Sequence, residues 1–272
     1  DVQNTTLQPE PYFMYTAGNY YKNKLNPGFA AVVGEYVYSS SYDKGEYHSS
    51  QDITPANPLT TSLANLYVYA AGPNSTLRFG ASGNALNPRT IRVSVNGTDV
   101  KDTLMEFFND LHTTAPVPTS LITSGTAAVK FTNTSPITSD RMVVSYFELT
   151  YPREFNFGNQ RVFEFELPAR AAGYYLQITN FNDGGVAPVL YDLTHGERYV
   201  GDKSVSGMVR FALPGSASSR KLVLLSTQAA AIRSITSMSV CNFIRFDQAA
   251  NQGDYIIISN PLLYNGPNGT NP

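Results

Sequence analysis

Residues 141–152 read RMVVSYFELTYP. Side chains of a β-strand point alternately to two faces. Val143, Ser145, Phe147 and Leu149 therefore share one face, with Val144, Tyr146, Glu148 and Thr150 on the other. Pro152 has no N–H to give to a ladder, so the strand is predicted to end there.

The same period runs outward in both directions. Downstream, RVFEFELP (161–168) puts Phe163, Phe165 and Leu167 on a dry face and Glu164 and Glu166 on a wet one. YYLQITNF (174–181), VLYDLT (189–194), GMVRFALPG (207–215) and RKLVLLS (220–226) repeat the theme, with Gly, Asn or Pro between. Upstream, IRVSVNGTDV (91–100) aligns Ile91, Val93 and Val95, then offers Asn96-Gly97, a pair suited to the positive φ angles of a type I′ hairpin. NLYVYA (65–70) is read as a strand with Leu66, Val68 and Ala70 on one face and the tyrosines opposite. GFAAVVGEYVYSS (28–40) is read as a strand and YDKGEYHSSQDITPANP (42–58) as a long loop. Only VKDTLMEFFNDLH (100–112) departs, because Leu104, Phe107, Phe108 and Leu111 fit the i, i+3, i+4, i+7 spacing of a helix. Strand and short helix both remain open for it.

Short strands with turn chemistry between them point to sandwiches or barrels. The expected architecture is all-β, with two consecutive β-sandwich, jelly-roll-like modules at 26–152 and 153–247 after an entry segment at 1–25. No repeat of 20–50 residues is evident in the sequence, which disfavours propellers and solenoids.

Composition agrees. The chain has 272 residues, 15% charged, with 18 Tyr and 15 Phe; its polarity comes from Ser, Thr, Asn, Gly and Pro, as in turn-rich β proteins. A net charge of −2 from 19 basic and 21 acidic residues gives no electrostatic case for nucleic acid or an anionic membrane. A single cysteine, Cys241, forbids an internal disulfide framework. The opening DVQNTTLQPEP has no signal-peptide pattern and no apolar run is long enough to span a bilayer. The expectation is either a cytoplasmic protein or a trimmed piece, and the end of the chain favours the latter.

Candidate chemistry is sparse. Cys241 could act as a nucleophile with His195 as base, against the plain reading of a small buried filler in the strand SMSVCNFIRF (237–246). His195 itself falls in LTHGERY (193–199), a hairpin turn. His48, His112 and His195 are too scattered for a metal motif. Tyr42-Asp43-Lys44-Gly45-Glu46 could lend carboxylates to calcium, but its spacing matches no defined calcium loop. Asn182-Asp183-Gly184-Gly185 reads as a turn. Tyr20-Tyr21, Tyr67, Tyr69 and Tyr174-Tyr175 could form a carbohydrate platform or simply pack at sheet surfaces. The sequons at Asn4, Asn74, Asn96, Asn133 and Asn268 carry little weight in a chain this rich in Asn and Thr.

Three longer phrases say more together than singly: YFMYTAGNYYKNKLNPGFAAVVGEYVYSSSYDKGE (12–46), DRMVVSYFELTYPREF (140–155) and QGDYIIISNPLL (252–263). In order, they resemble the surface sortases of the type IX secretion system, a family of gingipain-like cysteine peptidases. In that family β-sandwich modules precede the peptidase domain. The unbroken apolar run Tyr255–Ile258 looks like the first strand of that α/β domain, so residues 248–272 would belong to a truncated peptidase domain. The family's catalytic Cys and His lie beyond this strand; His195-Gly196 precedes Ile256 and inherits no role, so no catalytic, cofactor-binding or metal residue is assigned. The resemblance implies a scaffold and interaction region of an outer-membrane-associated enzyme of a Gram-negative bacterium. That enzyme would process the C-terminal signal domains of exported cargo and anchor it to anionic lipopolysaccharide. Its partners would be other secretion components and cargo. The alternative is a stand-alone surface adhesin or carbohydrate-binding sandwich. The triple isoleucine is expected to be covered, by adding to an edge of the second sandwich, by folding back against it, or by pairing with a neighbouring chain.

Overall fold

The computed structural model describes residues 2, 5–22, 27–30, 32, 34–37, 48–228, 232–241, 243, 245, 248 and 250. The calcium-loop candidate 42–46, Asn4, Asn268 and the run 254–259 lie outside the described residues. The chain divides into two units, Asp1–Ile232 and Arg233–Pro272.

The first unit is built of strands. In chain order they are β1 (Phe13–Tyr20), β2 (Gly28–Ala30), β3 (Glu35–Val37), β4 (Leu59–Leu63), β5 (Ser75–Gly83), β6 (Thr90–Val95), β7 (Thr98–Leu104), β8 (Asp110–Val117) and β9 (Ala127–Asn133). There follow β10 (Met142–Arg153), β11 (Asn156–Gln160), β12 (Val162–Leu167), β13 (Tyr174–Phe181), β14 (Val189–Asp192), β15 (Glu197–Val200), β16 (Met208–Leu213) and β17 (Arg220–Leu225). Among the described residues no helix is long and apolar enough to cross a membrane.

Two sandwich cores result. Sheets β1-β10-β5-β8 and β4-β9-β6-β7 enclose the first. Its buried side chains include Leu77, Phe79, Ile91, Val93, Val129, Phe131, Phe147 and Leu149. The Phe131 ring bridges the sheets, 5.5 Å from Phe79 and 5.8 Å from Phe147. The second core lies among β11-β13-β16 and β12-β17-β14-β15 and contains Phe157, Phe163, Phe165, Leu176, Ile178, Phe211, Leu222 and Leu224. Full burial of each such side chain contributes about 1.5–3 kcal/mol. Ladders between these strands are antiparallel except for β11 with β13. Strand β1 serves both cores: it pairs along β10, yet its first residue, Phe13, is buried in the second core.

Much of the pattern reading holds. Asn96 and Gly97 adopt φ of 48° and 84° and join β6 to β7 as a hairpin. β12 alternates as its Phe and Glu residues predict. His195 lies in the β14–β15 turn, and Asp183-Gly184-Gly185 is also a turn.

Other readings are corrected. In β10 the face parity flips at a bulge: Val144 pairs with Ala81 and Tyr146 with Gly80, leaving Ser145 as the extra residue. Met142 and Val144, not Val143, consequently join Phe147, Leu149 and Tyr151 in the first core. The strand also runs past Pro152 to Arg153. Pro152 directs its backbone toward Tyr69, whose N–H its carbonyl accepts at 3.0 Å, so the missing N–H costs β1 nothing.

Residues 65–70 form no strand. Asn65 and Tyr67 sit in the left-handed region, φ 56° and 50°, which breaks an extended run and strains an aromatic residue. The segment 28–40 contains a short hairpin, β2 with β3, with Gly34 in its turn. Neither option describes 100–112 as a whole: β7 ends at Leu104, a turn covers 105–109, and β8 begins at Asp110. Arg89 Nη1 donates to the carbonyls of Phe107 (2.7 Å) and Met105 (3.3 Å), oxygens a helix would need for itself, and Phe107 is left-handed at φ 51°.

In the second unit, Cys241 is exposed and residues 233–241 have no strand. Period-two alternation alone does not make a strand, because a strand also needs a partner edge.

The first sandwich closes on a buried ion pair. Asp140 and Arg89 have fully buried side chains, with Arg89 Nε 2.6 Å from Asp140 Oδ2. Arg89 Nη2 donates to Asp140 Oδ1 (2.8 Å) and to the Ala85 carbonyl (2.7 Å). Asn133 and Asn87 complete the carboxylate, at 2.8 and 3.1 Å. Burial opposes ionisation of Asp140, but the bonds from Arg89, Asn133 and Asn87 outweigh it and hold its carboxyl below the usual range. A depressed folded-state pKa gives stability that is present above the unfolded value of about 3.9 and lost as pH falls through the lower folded one. Asp140→Asn should therefore cost about 3–5 kcal/mol at pH 7, since it strands a buried guanidinium. Urea denaturation at pH 7 and pH 3 should show the wild type losing more stability than the variant between the two.

Candidate functional site

The place where the two cores meet is held by one side chain. Strand β10 delivers Tyr151 and Arg153 to the junction, β1 delivers Tyr15, β12 delivers Phe163, and the left-handed turn at 65–67 delivers Tyr67. The Arg153 guanidinium carbon lies 5.0, 4.9 and 5.1 Å from the ring centres of Tyr15, Tyr67 and Phe163. Ring faces are electron-rich, so three of them offset part of a buried positive charge.

Carbonyl oxygens supply much of the rest. Arg153 Nη1 donates to Asn65 O and Leu66 O, both at 3.3 Å, and to Tyr151 Oη at 3.0 Å. Nη2 donates to Asn156 O at 2.8 Å. Tyr151 in turn donates to Leu66 O at 2.7 Å. Burial pushes the Tyr151 phenol up to about 12, against the pull of Arg153, so it stays a neutral donor. Arg153 is 5% exposed, pairs with no carboxylate among the described residues, and keeps its Nε without a partner.

A half-open cleft of about 640 Å³ runs along this junction, with Asn65, Gln160 and Glu164 supplying polar groups between aromatic walls. Gly158 is needed here: at φ 59° it is left-handed, and a Cβ would sit 3.1 Å from the Tyr67 ring. Its lining holds no cysteine, serine, threonine or histidine. Among the described residues no three His, Cys, Asp or Glu side chains cluster as a metal site.

The platform tyrosines divide. Tyr174 and Tyr175 are 4% and 8% exposed, and Tyr174 belongs to the second core, so neither can present a ring to a ligand. Tyr69 stacks on Tyr12, with ring centres 5.3 Å apart, and Tyr67 covers Arg153. Tyr21 packs against the first core. Only Tyr20 keeps an exposed ring, and register explains its neighbours. Tyr20 pairs with Tyr146, Tyr146 with Gly80, and Gly80 with His112.

The three rings thus stand in one row on the outer face, Tyr146 lying 6.1 Å from Tyr20 and 5.9 Å from His112, each pair near parallel. Gly80 makes the gap they close over, since a Cβ there would lie 2.6 Å from Tyr146. The bond from Tyr20 to Glu148, with burial, pushes the Tyr20 phenol up to about 12. Tyr146 and His112 are the members that sequence reasoning missed; their shared row becomes visible only once the bulge and the register are known.

His195 contacts Asp192 and Ser216 within the first unit, and Cys241 belongs to the second. Asn133 is buried at 1% exposure, and the Asn96 side chain is engaged by Leu121, Thr126 and Ala128. Neither is presented as an acceptor for a glycan.

Replacing Arg153 tests the junction. Arg153→Ala should destabilise the first unit by about 3 kcal/mol, from lost charge-assisted bonds and stranded carbonyls. Arg153→Lys should recover little, because an ammonium cannot span four acceptors in one plane. Differential scanning calorimetry should show one transition for the wild type broadening or splitting in Arg153→Ala as the cores uncouple.

No protein-family model and no curated protein sequence matches the chain. Among solved structures, dimeric latent PorU from Porphyromonas gingivalis matches 82% of this chain at 10% identity with a TM-score of 0.51; the matched part is 21% of PorU, so the chain spans about a fifth of that protein. A CBM36 carbohydrate-binding module in complex with calcium and xylotriose covers 36% of the chain and 76% of its own length, at 12% identity and a TM-score of 0.28. The CBM36-1 domain of a multidomain xylanase from the hindgut metagenome of Trinervitermes trinervoides covers 50% of the chain and 96% of its own length, at 8% identity and a TM-score of 0.31. Those two scores are too low to equate folds. The chain thus has a PorU-like, β-sandwich fold.

Proposed function

We propose that this chain is the non-catalytic β-sandwich region of a type IX secretion sortase-like cysteine peptidase, acting as scaffold and interaction surface at the outer face of a Gram-negative cell. One observation carries the reading: two sandwich cores in series, tied by β1 and Arg153, with a PorU-like fold over 82% of the chain. The resemblance of residues 12–46, 140–155 and 252–263 to that family points the same way. On this reading 26–152 and 153–247 are the two modules, 1–25 leads into them, and 248–272 opens a peptidase domain. The catalytic Cys and His would follow Ile256. Partners would be secretion components and the C-terminal signal domains of cargo. Such a role asks for rigidity between modules, and the Arg153 junction provides it.

A second reading, a sugar-binding surface module, is favoured by one feature, the Tyr20–Tyr146–His112 row on the outer sheet. Adjacent ring faces stack on sugar rings, and Glu148 and Arg78, 3.3 Å apart, stand beside the row as hydrogen-bonding groups.

The open reading frame decides between them. Continuation beyond Pro272 into an α/β domain bearing a His-Gly and then a Cys supports the sortase reading; a stop codon directly after Pro272 overturns it. Under the second reading the purified chain should bind a polysaccharide on a glycan array, and Tyr146→Ala should weaken that binding at least tenfold, on the scale of one lost stacking contact of about 1.5 kcal/mol. Binding unchanged in Tyr146→Ala would exclude the ring row as its site.

A further inference from the structure

The second sandwich brings together a serine, a histidine and an aspartate that no motif unites in sequence. Asp192 ends β14 with a side chain removed from solvent. Its Oδ1 accepts the backbone N–H groups of Thr194 (3.0 Å) and His195 (3.1 Å), which fixes the carboxylate on the hairpin turn. Its Oδ2 lies 2.9 Å from His195 Nδ1. Nδ1–H donates to that carboxylate, so the lone pair of the ring falls on Nε2. Nε2 faces Ser216 Oγ at 3.1 Å and Ser218 Oγ at 3.3 Å. Nucleophile, base and orienting carboxylate thus stand in series within hydrogen-bond reach.

The loop carrying Ser216 is held in place. Ser216 N donates to Arg170 O at 3.0 Å, and Arg170 N donates to Ser216 O at 2.9 Å. Gly215 allows this approach, because a Cβ there would lie 1.9 Å from Ala171 O. Ser216 borders a cleft of about 560 Å³ whose other walls are Ala169, Arg170, Ala171, Gly215 and Ala217. Small side chains leave room for a short acyl group. Among the described residues the Ala217 N–H makes no hydrogen bond. An amide directly after a nucleophile is where acyl-transfer sites place one oxyanion donor. Of the two hydroxyls only Ser216 lines the cleft, with His195 reaching it from outside that lining.

We propose that Ser216, His195 and Asp192 form an acyl-transfer site acting on esters of short acyl chains. Ser216 Oγ bonds to the ester carbonyl carbon while its proton passes to His195 Nε2. The tetrahedral oxyanion accepts a hydrogen bond from the Ala217 N–H. The carbon–oxygen bond to the alcohol breaks, and His195 returns the proton to the leaving alcohol. Water then attacks the acyl-serine by the same route and frees the acid, so nothing beyond ester and water is consumed.

Two features set the expected rate. At rest Ser216 Oγ also lies 2.7 Å from Ser218 O, and rotation of the hydroxyl alone redirects its proton to Nε2. Arg220 shares Oδ2 of Asp192 with His195, so the carboxylate supports an imidazolium less than an unshared one would. Burial works against ionisation of Asp192, but His195 and Arg220 hold its carboxyl below the usual range, so it stays an acceptor at neutral pH. Turnover should be slow, and a stoichiometric probe is the better readout. This inference is independent of the sortase reading.

The full chain should be incubated with a fluorophosphonate probe at pH 8 and its adduct mapped by mass spectrometry. One adduct on Ser216 is expected, lost in Ser216→Ala, retained in Ser218→Ala, and formed roughly 100-fold more slowly in His195→Gln. Circular dichroism of each variant, unchanged from wild type, separates chemistry from misfolding. No adduct on Ser216, an adduct on another serine, or labelling indifferent to His195→Gln would overturn the proposal.

Discussion

A guanidinium enclosed by three aromatic rings is where this molecule turns from one core to the next. Moving a charge of that size out of water costs several kcal/mol unless its donors are met. Arg153 meets most of that cost without a carboxylate, using three backbone carbonyls, one phenol and the faces of Tyr15, Tyr67 and Phe163. The acceptors come from both sides. Asn65 and Leu66 belong to the turn after β4 in the first sandwich, and Asn156 begins β11 of the second. Strand β1 makes the same crossing with apolar contacts, since Tyr15 packs against both cores. A linker of ordinary loop residues would let two sandwiches swing. A strand continuous with both, capped by a side chain bonded to both, does not.

Arg153 has two counterparts, and together they suggest why a chain with so few charges buries several arginines. Arg89 binds the carbonyls of Ala85, Met105 and Phe107, and Arg220 binds that of Pro214. Each of these oxygens lies at or beyond the end of a strand, where no ladder partner is available, and a buried carbonyl left unpaired is costly. A planar fork with five donors can gather several such carbonyls at once; a lysine cannot. In this fold the buried cation finishes what the sheets leave undone. The aspartates beside Arg89 and Arg220 balance the charge, while aromatic rings take that part at Arg153.

What the sequence revealed and what it concealed follow from the range of the forces involved. The Asn96-Gly97 hairpin and the Phe163-Phe165-Leu167 face were readable because turn chemistry and period-two burial are local. The parity of β10 was not, because the bulge depends on Ser145 being skipped by a partner strand more than sixty residues away. The segment 104–111 carries a sound helical spacing, and it was overruled by Arg89, whose claim on two of its carbonyls no local window can see. Tyr174 and Tyr175 looked like surface rings because their strand was read without its sheet partner β16. Arg153 went unremarked although a cue was present: a basic residue directly after Tyr-Pro, at the close of a long apolar strand and on a module boundary.

The His195 cluster marks the same limit from the other side. Asp192 and His195, three residues apart across a tight turn, could have been paired from sequence, because an aspartate before a turn commonly caps the following amides. Ser216 could not, since only the antiparallel pairing of β14 with β17 brings the loop before Arg220 back over that turn. Arg220 is what anchors it: the residue pairs with Asp192, binds Pro214 O, and stands two positions from Ser218. The arginine that completes the end of the second sandwich therefore also positions the serine loop against the imidazole. Here the device that satisfies stranded carbonyls and the device that assembles a reactive constellation are one and the same interaction.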